Sequence, residues 1–176
     1  STSFTIFQGG GNIRLGRGGT DTADGSGYFD AVRISKVARY GNIDIPTTQL
    51  KTWQAAGRGQ NALLPHHTKL LIQANSSTTT SDAIVDETGR HGVNAKGCVW
   101  KTDKTHSGNT AIWFDGTDDY LEISDSADWD QTQDFSWEAW VSHYNFTGTE
   151  DYFFQGNTAA NNTYTHFWHQ GNSGLR

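Results

Sequence analysis

The chain has 176 residues, enough for one domain of ordinary size or for pieces of two, and enough to bury a core. Its net charge of −6 and its scattered Lys and Arg leave no basic surface for phosphate backbones, which excludes nucleic acid as an expected partner. Aromatic residues make up 12% of the chain and twenty Gly stand against two Pro, a balance that suits an all-β protein with many short turns.

Ser3 to Gln8 alternates Phe4 and Ile6 with Thr5 and Phe7 and predicts a first strand, which Gly9-Gly10-Gly11 ends. Asn12 to Gly16 predicts a second. After a Gly/Thr/Asp/Ser loop, Tyr28 to Ser35 reads as a strand whose core side the alternation does not name. Phe29, Ala31, Arg33 and Ser35 fall on one face, and Tyr28, Asp30, Val32 and Ile34 on the other. The polar stretch Thr47–His67 reads as a linker. Further strands are expected at Thr68–Ala74, Val93–Lys101, Ala111–Asp115, Asp119–Ser124, Phe135–Val141, Asp151–Gln155 and Tyr164–Gln170. In the Phe135–Val141 strand the period is two, with Phe135, Trp137, Ala139 and Val141 on the expected core face and Ser136, Glu138 and Trp140 opposite.

Five pieces of wording resemble laminin-G-like, concanavalin-A-like jelly-roll domains. F-D-G-x-x-D-Y-L-x-I at Phe114–Ile123, D-S-A-D-W-D at Asp125–Asp130 and D-F-S-W-E-A-W-V at Asp134–Val141 resemble the opening half of such a domain. D-E-T-G-R-H-G at Asp86–Gly92 resembles the turn that the family places before it. The run G-Y-F-D-A-V-R-I-S-K-V-A-R-Y, ending at Tyr40, resembles the closing strand and turn. The closing signature thus precedes the opening one. The expected fold class is an all-β antiparallel β-sandwich of this jelly-roll type, with residues 1–46 as the end of one domain, 47–67 as a linker and 68–176 as the start of a second. The alternative is a permuted single sandwich. With no Met, the chain reads as a piece of a longer protein.

Cys98 is the single cysteine, so no intrachain disulfide forms. No apolar run is long enough to cross a bilayer and Ser1–Phe4 does not look like a signal peptide, so membrane insertion is not expected.

Asp115, Asp118 and Asp119, with Glu122 nearby, group carboxylates on a turn, a chemistry that suits Ca²⁺, although Asp is also simply a good turn residue. No other cofactor is expected. His166 and His169 are three apart on a predicted strand and point to opposite faces, so they are not expected to share a zinc ion. Asp134 and Glu138 are the nearest approach to the paired carboxylates of a glycanase, and they depart from the E-x-D-x-x-E pattern of this sandwich's glycanases, so catalysis is not expected. Glu138 and Trp140 on one strand, and Tyr164, His166 and Trp168 on another, are candidate carbohydrate-binding residues, because exposed rings stack on sugars. Their competing role is packing. The resemblance implies a non-catalytic module, in a phage tail or appendage or a bacterial surface protein, that binds host-surface polysaccharide or glycoprotein or is purely architectural. The expected location is a virion or extracellular surface, with neighbouring virion or surface proteins, or further copies of the chain, as partners.

Overall fold

A computed structural model describes residues 11–19, 24–36, 67–74, 83–106, 110–132, 134–144, 148–156 and 164–171. Ten strands are formed among them: β1 Ile13–Leu15, β2 Ser26–Ser35, β3 Thr68–Ile72, β4 Val93–Lys96, β5 Val99–Lys101, β6 Ala111–Asp115, β7 Tyr120–Ile123, β8 Ser136–His143, β9 Thr149–Gly156 and β10 Tyr164–Gln170. The expected strand at Ser3–Gln8 and residues 47–66 of the expected linker lie outside the described residues.

The strands build two antiparallel sheets that face each other as an all-β sandwich. One sheet runs β10-β9-β1-β7-β4. In the other, β2 is central. Over Gly27–Ser35 it pairs with β8 on one edge, while the opposite edge is shared by β6 at Ser26–Phe29 and β3 at Val32–Ser35. The strand at Tyr28–Ser35 and the strand at Ser136–Val141 therefore lie side by side, with Ile34 opposite Trp137. Their inner residues join one core, in which Phe29, Val32 and Ile34 are buried and Trp137 and Val141 pack against them. This corrects the expectation that the two strands sit in separate sandwiches: within this chain β2 and β8 are neighbours in one sheet.

The ambiguity of β2 has a structural cause. Opposite β8 the register shifts between Asp30 and Arg33, so Ala31 and Val32 face the single residue Ala139, which is a β-bulge. Ala31 takes φ +56°, the left-handed region. The extra residue resets the alternation, so Phe29 before it and Val32 and Ile34 after it all point inward. Asp30 and Arg33 take the outer face. A strict period of two has no way to express that pattern.

A second correction concerns Val93–Lys101. It forms two strands in different sheets, because the chain turns at Gly97 with φ +72°. A Cβ there would lie 1.7 Å from Asp119 Oδ1, so only glycine fits. The turn before β4 is organised by Asp86, which is buried and accepts hydrogen bonds from the backbone N–H groups of Leu71, Thr88, Arg90 and His91 and from the Thr88 hydroxyl. The D-S-A-D-W-D segment forms a short 3₁₀ turn, Ala127–Trp129, capped by Ser126 Oγ on the Asp128 N–H. It drives Trp129 into the core, where the indole N–H donates to the Ser124 carbonyl.

On β8 the expected inner face is only partly closed. Trp137 and Val141 touch the core, Phe135 precedes the strand half-buried, and Ala139 is exposed. The reason is an open cleft beneath β8, which is taken up below.

Candidate ligand-binding faces

The turn between β6 and β7 gathers the ligand atoms of Asp115, Asp118 and Asp119 within 4.8 Å of one another. Asp115 and Asp118 are exposed, whereas Asp119 is buried, accepting the Asp115 N–H at 2.9 Å. Burial pushes the Asp119 carboxyl above its usual range, and the Asp115, Asp118 and Asp24 charges add to that, against the opposing Asp115 N–H. The donor set fits a hard cation such as Ca²⁺, whose charge would relieve this repulsion. Glu122 is turned away from it, onto the sheet surface, where it pairs with Arg14 at 3.0 Å.

Glu138 and Trp140 share the outer face of β8, as the alternation predicts, and both are engaged by the protein. Arg33 donates two hydrogen bonds of 2.6 Å to the Glu138 carboxylate. The ring of His106 stacks on Trp140 at 3.6 Å, while the His106 N–H donates to buried Asp30 at 2.7 Å. Asp134 is exposed just before the strand, so the two carboxylates of the glycanase comparison have different surroundings. At the other end of this face Tyr28, Trp113 and Tyr144 form a chain of ring contacts at 4.6 and 5.4 Å, and the Tyr28 hydroxyl donates to Asp103. Burial and then Asp103 push the Tyr28 phenol up. Sequence reasoning missed this group, because Trp113 sits between two core residues, Ile112 and Phe114, and reads as part of an apolar run.

Tyr164, His166 and Trp168 lie on the outer face of β10, in the other sheet, so the five candidate carbohydrate residues form two separate groups. The three rings stand in a row, with contacts of 5.1 Å between Tyr164 and His166 and 5.3 Å between His166 and Trp168. His166 Nδ1 bonds to Asp151 at 3.1 Å. Burial pushes the Asp151 carboxyl up, and His166 opposes that shift. β10 keeps regular alternation because the bulge of this pair falls on β9, at Tyr152, and His169 accordingly points inward.

That inward side holds a cluster with no sequence signal, since its members come from three strands. His143 Nδ1 bonds to Glu150 at 2.9 Å, its Nε2 contacts the Tyr152 hydroxyl, and the His169 ring lies 5.3 Å away. Glu150, Tyr152 and His169 are buried. Elsewhere, the half-buried Cys98 thiol is pushed by burial up to about 12, which removes it as a nucleophile at neutral pH.

Comparison with protein-family models, with curated proteins and with solved structures gave no match to this chain.

Proposed function

We propose that this chain is a non-catalytic carbohydrate-binding module of the laminin-G-like kind, belonging to a virion appendage or a surface protein and directed at host-surface polysaccharide or glycoprotein. The observation that carries the reading is the row of Tyr164, His166 and Trp168 on the outer face of an edge strand, with Tyr164 44% exposed. The ring centroids follow one another at 5.1 and 5.3 Å, with His166 and Trp168 within 16° of parallel and Tyr164 edge-on to His166, so an extended sugar chain can run along the row with its C–H groups against the rings. The Asp151–His166 pair supplies the polar edge that reads hydroxyls. The Glu138 and Trp140 face supports an architectural role instead, since Arg33 and His106 already occupy those groups.

A glycan array followed by titration with the best oligosaccharide tests the reading. Trp168→Ala and Tyr164→Ala are each expected to weaken binding about two- to tenfold, since a ring contact contributes about 0.5–1.5 kcal/mol. Glu138→Gln is expected to leave affinity unchanged. An array with no binding above background removes the carbohydrate reading and leaves the purely architectural one, in which neighbouring virion or surface proteins, or further copies of the chain, are the partners.

A further inference from the structure

Between the sheets, under β8, lies a cavity of about 510 Å³. Its walls include the rings of Phe29, Trp137, Tyr152, Phe153 and Phe167, together with Ala139. Protein interiors close such spaces to near-crystalline density, and a ligand pocket of roughly 300–1,000 Å³ is the usual exception. Two features set this one apart from a packing gap. Ala139, on the inner face of β8, is exposed, and Phe167 on β10 is 43% exposed, so the space opens to solvent between the two edge strands. Tyr152 also joins the cavity to the polar cluster, because its hydroxyl contacts His143, which in turn bonds to Glu150.

We propose that this cleft binds an uncharged aromatic molecule carrying one hydrogen-bonding group. The rings argue for an aromatic body, since offset and edge-to-face contacts with several surrounding rings are available at once and an aliphatic chain would use none of them. The polar wall argues for a neutral ligand. Its charged lining residues, Arg33 and Glu138, are bonded to each other and, like Glu150 with His143 behind Tyr152, offer no uncompensated charge to an ionic ligand. A single neutral donor or acceptor can instead join the Tyr152–His143 contact. The site is separate from the outer ring row on β10, which faces the opposite way along the same strand.

Titration of the whole chain with N-phenyl-1-naphthylamine, an uncharged aromatic amine whose fluorescence rises in apolar surroundings, tests the proposal. The expected result is saturable enhancement at one site per chain. Ala139→Trp fills the cleft and is expected to abolish the enhancement with the far-ultraviolet dichroism of the sheets retained. Should that variant fail to fold, Phe167→Ala, at the mouth, is expected to weaken binding about three- to tenfold, the effect of one ring contact. Trp168→Ala, on the outer face, should leave it unchanged. Non-saturable enhancement, wild-type affinity in Phe167→Ala, or equal displacement by dodecanol and by 2-naphthol would each overturn the assignment.

Discussion

Deleting Ala31 is the sharpest test of how β2 works. The bulge lets Phe29 on one side, and Val32 and Ile34 on the other, share the inner face, where they are 2%, 4% and 3% exposed. Without the extra residue the two halves fall out of phase by one position, and one of them must present its wrong face. If the first half yields, Phe29 leaves the core beside Phe114, whose ring centroid is 4.8 Å away, at a cost of about 3–5 kcal/mol, the range for removing a buried aromatic. If the second half yields, Val32 and Ile34 are exposed, which costs about 3–6 kcal/mol together. Arg33 would also lose Glu138 and turn inward. Either way the loss is at least about 3 kcal/mol, a large share of the roughly 5–15 kcal/mol of a typical domain. Ala31→Gly is the control. It relieves about 1–2 kcal/mol of left-handed strain but gives up a methyl and adds chain entropy, so the net change is near zero. Urea melts followed by tryptophan fluorescence read both variants. A deletion variant with the wild-type midpoint and slope refutes the bulge as the device that sets the two faces.

Gly97→Ala forces φ +72° on a side chain and drives its Cβ into Asp119, for an expected loss of about 2–5 kcal/mol in the same melts. Asp86→Ala leaves several backbone N–H groups without their acceptor and should cost about 3 kcal/mol, with loss of amide exchange protection at Leu71, Arg90 and His91 as the local readout. For Asp119 the sign follows from its raised carboxyl: the native state holds the proton more tightly than the unfolded chain, so its contribution is favourable at acid pH and is lost as pH rises through the folded value. In chelator, Asp119→Asn is therefore expected to equal or exceed the wild type in stability at pH 7 and to lose that advantage near pH 3. A wild-type melt that rises saturably with millimolar Ca²⁺, and does not in this variant, would assign the cation to this turn. Finally, a chain lacking residues 1–36 loses β1 and β2 and should show no cooperative unfolding transition, because among the described strands β2 is what joins β8 to the sheet.

Strand positions were largely legible, since most of this chain's strands alternate cleanly and are bounded by Gly, Asp or Ser. What was hidden arose where one residue breaks the count. Ala31 obscured the core side of β2, and Gly97 divided an expected single strand between two sheets. The acidic turn was visible as a local cluster. The outer ring row was visible too, because its members are two apart on one strand. The Tyr28–Trp113–Tyr144 group and the His143–Glu150–Tyr152–His169 cluster were not, because each is assembled from separate strands and exists only once the register is known. Glu138 and Trp140 were placed on the correct face, yet their partners Arg33 and His106 come from distant points of the chain.

The central place of an early strand, β2, among later ones is compatible with one sandwich because a ladder of backbone hydrogen bonds records which strands are adjacent and in what register, not the order in which the chain visits them. β2 contributes its Ile34 opposite Trp137, its Phe29 opposite Ile112 and its Val32 opposite Ile72, and these pairings need only a connection long enough to reach. Connection length enters stability through a logarithm, so an upstream strand joined by a longer loop gives up little to a downstream one. The carbonyl of His67 accepts the Lys36 N–H at 2.9 Å, so the two ends of the intervening segment meet at the edge of the sheet and the crossing closes locally. A strand from early in the chain can thus stand at the centre of a sheet whose other members all come later.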